Sequence, residues 1–162
     1  MSIINIDTNS INFSVENYNS NNGMFPSVWG PLMWHFLHII SFNYPTNPDK
    51  KTKKHYYNFI INLQYILPCS VCRLNLKKNL KNFSIKHMKN RYTFSKFIYN
   101  LHDTINKLLN KPPSPDYYDI RNFYECFRAK CPSSSKKKTE KGCHNPKYNK
   151  KYKCSINMIE KN

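Results

Sequence analysis

The chain has 162 residues, 26 of them lysine or arginine against nine acidic residues, giving a net charge of +17, with only three glycines. That length suits one domain with tails. No run approaches the ~20 apolar residues of a membrane span, and MSIINIDTNSINFSVENYNSNNG has neither the basic and apolar regions of a secretory signal nor the arginine of a mitochondrial presequence. The expected location is a cytosol, without secretion by a signal peptide.

The charge could mark an anionic partner such as nucleic acid. Nearly all of it is lysine, however, and lysine, asparagine, isoleucine and tyrosine are abundant together, as an AT-rich genome produces. Only four arginines occur, and arginine is the residue that grips phosphate with two parallel hydrogen bonds. Nucleic acid is therefore not expected as the main ligand. Six cysteines are many for a reducing compartment, where close cysteines are more often redox catalysts or metal ligands than structural disulfides.

In chain order, residues 1–24 are polar and rich in asparagine and serine, and read as a flexible tail. PSVWGPLMWHFLHIISFNYP reads as a first helix, with Ser27 as its cap, Pro31 in its first turn, and Trp34, Leu37, His38 and Ser41 on one face. Pro45 ends it. Asp49 caps a second helix with an apolar stripe of Tyr56, Phe59, Ile60, Leu63, Ile66 and Leu67. Pro68 stops it. A third helix starts at Cys69–Cys72 and turns Leu74, Leu76 and Leu80 partly inward. A fourth starts near Thr93, carries Phe94, Phe97, Ile98, Leu101, Ile105, Leu108 and Leu109, and stops at NKPPSP. DYYDIRNFYECF reads as a short fifth helix. Without alternating strands or repeats, the expected fold is all-α, a four-helix bundle with a short fifth helix. The domain spans 25–130, and a basic, cysteine-containing tail covers 131–162.

In ILPCSVCRLN the proline puts Cys69 and Cys72 in the first turn of a helix. Unpaired N–H groups there stabilise a thiolate, and Arg73 adds positive charge. The pair by itself fits a helical redox protein, a zinc site or an inert pair. A thioredoxin-like fold needs βαβ units, which are absent. Two further constellations bear on the choice. Trp34 and His38 share a face one turn apart. His102 and Asn106 share a face of an otherwise apolar stripe, where buried polar groups need partners, and Lys111 follows at the helix end. A large planar ligand with hydrogen-bonding edges and phosphates would satisfy all of them.

WGPLMWHFLHIISFNYP, LPCSVC and LHDTINKLLNKP, in this order and spacing, resemble the Erv/ALR family of FAD-linked sulfhydryl oxidases over roughly residues 27–124, most closely the compact forms of large cytoplasmic DNA viruses. The resemblance implies FAD in the mouth of the bundle and a homodimer. Cys72 would be the flavin-proximal sulfur and Cys69 the outer, interchange sulfur. Gly30, Trp34, His38, His102, Asn106 and Lys111 match FAD-contacting positions, with Asn122 and Phe123 near a further contact region. Clients would be thiol proteins or a thioredoxin-like relay protein. Oxygen would accept the electrons to give hydrogen peroxide, in host cytoplasm and, where packaged, in the virion. The chain departs from the cellular pattern at Asp103, where asparagine is usual. It also departs at Tyr99 and Asp116, where many members have a disulfide staple.

Cys126, Cys131, Cys143 and Cys154 remain. The resemblance favours a mobile shuttle pair on a terminal arm. Structural disulfides, inert thiols, or a zinc set including His144 are alternatives. His35, His55 and His87 show no partner pattern. The competing function is a basic, zinc-stapled helical module that binds nucleic acid, with Cys69 and Cys72 structural.

Overall fold

A computed structural model describes residues 12–130 and 145–155. The helices are α1 (Val15–Tyr18), α2 (Pro26–Phe42), α3 (Lys50–Ile66), α4 (Ser70–Asn79), α5 (Arg91–Leu108) and α6 (Tyr117–Glu125), with a 3₁₀ turn at Ile85–Met88. Helix α2 packs on α5 and α6, and α3 packs on α4. This is the expected all-α bundle of α2 to α5 with α6 as the short fifth helix. A two-residue ladder of β1 (Ala129–Lys130) with β2 (Asn145–Pro146) adds to it.

Local chemistry sets the boundaries. Asp49 caps α3 through the Thr52 N–H at 2.6 Å, and Asn90 caps α5 with Thr93 reaching back, so α5 begins slightly before the expected Thr93. Its C-terminus closes in a Schellman arrangement. Asn110, at φ 52°, takes the left-handed position usually given to glycine, while the Asn110 and Lys111 N–H groups donate to the Lys107 and Asn106 carbonyls.

The start of α2 differs from expectation. Pro26 occupies its first turn, Phe25 stands at the cap without a side-chain bond, and Pro31 lies inside the helix. A proline at the first helical position has its φ preset and loses nothing by lacking an N–H, so Pro26 takes the role assigned to Pro31 and Ser27 falls inside. Pro31 instead removes the N–H that the Ser27 carbonyl would otherwise meet.

The core gathers Leu37, Tyr44, Ile60, Leu63, Leu67, Leu76, Leu80, Phe83, Met88, Phe94, Ile98 and Leu101. The expected faces hold in their central turns. Leu74, Ile66, Leu108 and Leu109, at the ends of their stripes, are exposed. The staple missing at Tyr99 and Asp116 has a non-covalent counterpart. Tyr99 Oη donates to the Pro115 carbonyl at 2.9 Å, and Asp116 caps α6 through the Tyr118 N–H.

Of the expected 131–162 tail, residues 145–155 are described. They return to the end of α6, where Tyr148 Oη donates to Glu125 and the Lys147 N–H donates to the Arg128 carbonyl. Tyr152 meets Phe127 edge-on.

Candidate redox site

Pro68 ends α3, and the chain re-enters a helix directly, with Cys69 as the N-cap of α4. The Cys72 N–H donates to Cys69 Sγ at 3.2 Å, placing Cys72 one turn inside the helix. The two are joined as a disulfide with Cα atoms 5.2 Å apart. Cys72 packs against the core. Arg73, expected as a nearby cation, also braces the junction, since its Nη1 donates to the Leu67 carbonyl at 2.6 Å.

The segment before α2 lies against this junction. The Met24 N–H donates to the Pro68 carbonyl at 2.8 Å, and the Trp29 indole donates to the Met24 carbonyl at 3.0 Å. Of the expected 1–24 tail, residues 12–24 are described, and its end is thus tied to the cysteine loop. A Cβ on Gly23 would stand 2.5 Å from the Pro68 carbonyl oxygen and 3.1 Å from Cys69 Cα. Only glycine passes there without displacing backbone.

Between α2 and α5, Trp34 stacks on His102 with centroids 4.2 Å apart and planes 8° from parallel. His38 Nε2 and His102 Nδ1 are 3.0 Å apart. Tyr124 of α6 stacks over His38 at 5.1 Å and meets His35 Nδ1 at 3.2 Å through its hydroxyl. His35, read from the sequence as having no partner pattern, thus has one, and Tyr124 is not singled out there. The signal was there, since His35 precedes His38 by three residues on one helix, but Tyr124 reaches it only through the fold.

Burial, with His102 and His35 nearby, lowers His38 to a pKa of about 3. Burial first and the Lys111 charge second lower His102 to about 4. Both rings are therefore neutral near pH 7, and one proton bridges them. His38 Nδ1 is buried with no partner among the described residues. An orphaned buried N–H is rarer than an orphaned acceptor, which favours His38 donating through Nε2 and His102 carrying its own hydrogen on Nε2.

The structure thus gathers Trp34, His38 and His102, with Lys111 close enough to bear on His102. Asn106 sits on the same helix and donates to Ser114 Oγ at 3.2 Å. Gly30 lies one turn before Trp34 on α2, with nothing beyond its own helix within 4 Å of where its Cβ would lie. Asn122 and Phe123 are exposed. Asp103 is spent on Lys107 at 2.8 Å. Cys126 and Cys154 are free and exposed. Cys131, Cys143 and His144 lie outside the described residues. Among the described residues no His, Cys, Asp or Glu group is arranged to hold a metal ion.

The Erv1/Alr family model matches residues 31–128. The chain belongs to the Erv1/Alr family. It is 31% identical over 90 residues to a probable FAD-linked sulfhydryl oxidase of Acanthamoeba polyphaga mimivirus, a match covering 54% of this chain and 63% of that protein. It is 28% identical over 97 residues to a putative FAD-linked sulfhydryl oxidase of Invertebrate iridescent virus 6, covering 56% and 87%. The crystal structure of the yeast Erv1 core shares the fold, with a TM-score of 0.55 at 22% identity over 72% of this chain and 92% of that one.

Two predictions follow from this geometry. Gly23→Ala should push the segment off Pro68 and speed amide exchange at Met24 by about tenfold or more; unchanged exchange would show that the approach is not tight. In the unfolded chain both histidines take up protons near pH 6.5, whereas in the folded chain they stay neutral down to about 4 and 3. Between roughly pH 6.5 and 4 the unfolded state binds more protons, so stability should fall as pH falls through that window. Urea unfolding should show a shallower fall for His38→Gln, and an identical slope would contradict the assignment.

Proposed function

We propose that this protein is a FAD-dependent thiol oxidase that makes disulfides in protein clients and passes the electrons to oxygen. The observation that carries the reading is the Cys69–Cys72 disulfide at the N-terminus of α4, with one sulfur at the cap and the other one turn inside. Helix N–H groups and the dipole lower the energy of a thiolate at that place.

A client thiolate attacks Cys69 Sγ, breaks the Cys69–Cys72 bond and leaves Cys72 as the thiolate. A second client thiol, losing its proton, attacks the client sulfur of the mixed disulfide and releases Cys69. The client has then lost two electrons and two protons, and the pair holds both electrons as a dithiol. Cys72, against the core, is the sulfur facing the cofactor, and Cys69 faces the client. Tyr65, Ile66, Val71 and Leu74, within four residues of the pair in sequence, are exposed and would offer apolar contact to a client chain.

FAD suits the cluster of Trp34, His38 and His102 between α2 and α5. The Trp34–His102 stack offers a flat aromatic face. His102 presents Nε2–H as a donor, with His38 behind it fixing the tautomer, and Lys111 supplies a cation for phosphate. Asn106 adds amide chemistry on the same face of α5, and among the described residues the space at the Gly30 Cβ position is open beyond its own helix. When bound, FAD supplies a two-electron acceptor that oxygen restores, giving hydrogen peroxide.

A second copy of the chain is the expected partner. Val28, Leu32, Phe36 and Ile39 form an apolar stripe along α2 that is 39–49% exposed. Cys126, Cys131, Cys143 and Cys154 are assigned to electron relay from the client, supported by the exposure of Cys126 and Cys154. A thioredoxin-like protein would serve as relay client. No helix among the described residues is long and apolar enough to cross a membrane. With viral relatives, the working place assigned is host cytoplasm or virion.

The purified chain should show a flavin spectrum that bleaches with dithiothreitol and recovers in air. Cys72→Ser should keep the flavin and lose oxygen consumption by about a hundredfold or more. A chain that neither carries nor takes up FAD would overturn the reading. Leu32→Asp should convert a dimer to a monomer in sedimentation, and an unchanged profile would exclude the α2 stripe as the interface.

A further inference from the structure

Arginine is scarce in this chain, four residues among 26 cations, and it is not scattered. Arg91, Arg121 and Arg128 come from the start of α5, the middle of α6 and the segment after it, yet all line one cavity of about 380 Å³. Its walls include the rings of Tyr92, Tyr117 and Phe42. The lysine excess follows composition; three arginines converging from distant parts of the chain do not.

Two of the guanidinium groups are already oriented. Arg91 Nε donates to the Tyr44 carbonyl at 2.6 Å. Arg128 Nε donates to both oxygens of Glu125 at 2.7 and 2.8 Å, and its Nη2 donates to the Phe42 carbonyl at 3.0 Å. Among the described residues, the Nη groups of Arg91 and Nη1 of Arg128 meet no acceptor. Arg121 is exposed, bonded only to its neighbour Asn122 and resting over the Tyr118 ring, so it can swing inward. Glu125 is the one acid in the lining, and it is spent on Arg128, Tyr148 and Lys147. The cavity therefore holds a surplus of positive charge with unused donors. Burial and the Arg128 charge together press Arg91 below its usual pKa, a repulsion that a bound anion would relieve. The rim also carries the start of the 18-residue α5, whose Thr93 N–H is taken by Asn90 but whose dipole still favours an anion.

We propose that this cavity binds a phosphate group, either as inorganic phosphate or as a small phosphate monoester. Planar guanidinium forks match its oxygens, and the volume lies at the low end of small-ligand sites, enough for phosphate with a sugar-sized body against the tyrosine rings. The site is separate from the redox centre. Arg91 and His102 are eleven residues apart on one helix, roughly 16 Å along its axis.

The test is calorimetric titration of the whole chain as purified, with inorganic phosphate and separately with ribose 5-phosphate, at about physiological salt. Saturable one-to-one binding is expected, weakened about tenfold or more in Arg121→Ala and only partly restored in Arg121→Lys, which keeps the charge and loses the fork. Lys51→Gln with Lys53→Gln should bind as the parent does. Tighter binding of ribose 5-phosphate would identify the monoester as the ligand, and equal binding would identify free phosphate. Arg121 is exposed, so its variants should fold as the parent does, and circular dichroism checks this. Absence of saturable heat would overturn the proposal, as would equal affinity in Arg121→Ala or loss of binding in the lysine variant.

Discussion

Two imidazoles meet across the α2–α5 interface with 3.0 Å between ring nitrogens, and burial leaves both of them neutral. A charged ring at His38 would lose its hydration with no counter-charge to replace it. This requirement ties the register of two long antiparallel helices to one hydrogen bond. With His38 opposite His102, Trp34 falls one turn back and lands flat on the same ring. At the other end of the pair, Tyr44 receives Arg91. A slip of one residue on either helix would lose the hydrogen bond, the stack and the Tyr44 contact together.

The cysteine pair depends on a different constraint, the proline at 68. It cannot continue α3, and its carbonyl is left free to accept from outside. Met24 takes it. The disulfide is thus held between the start of α4 and a segment arriving from the N-terminal side, with Gly23 as the one residue small enough for that approach. Cys69 lies beside backbone already engaged on one flank, and on the proposed function the exposed apolar residues of α3 and α4 would meet the client.

Much of this was legible in the residues. Asp49, Pro68, the NKPPSP stop and the period-3.6 stripes set the helices, because caps and breakers act locally. The stripes misled only at their ends, at Leu74, Ile66, Leu108 and Leu109, where periodicity continues but the facing element does not. The start of α2 misled because two prolines competed for one role, and Ser27 had the chemistry of a cap without its position. Trp34, His38 and His102 could be named from spacing and resemblance. Their mutual contact could not, nor could Tyr124, since stacking across three helices has no sequence period. The docking of Met24 and of Tyr148 was equally hidden, because polar, asparagine-rich or lysine-rich segments carry no apolar pattern to announce where they land.

Helix α6 explains why a nine-residue fifth helix matters to a four-helix bundle. One of its faces puts Tyr124 over His38 and within reach of His35, closing the back of the ring stack. One residue on, Glu125 collects Arg128, Lys147 and Tyr148, so the returning C-terminal segment is held to the same helix. Cys126 follows at its cap. A helix this short has little intrinsic stability, and its placement rests on Tyr117, buried against Phe42 and bonded to Ser95 at 2.8 Å. Whatever fixes or loosens α6 therefore acts on the histidine pair, the arginine cavity and a free thiol at once. No covalent staple joins the Tyr99 and Asp116 positions, so among the described residues this coupling rests on packing, hydrogen bonds and the ion pairs of Glu125.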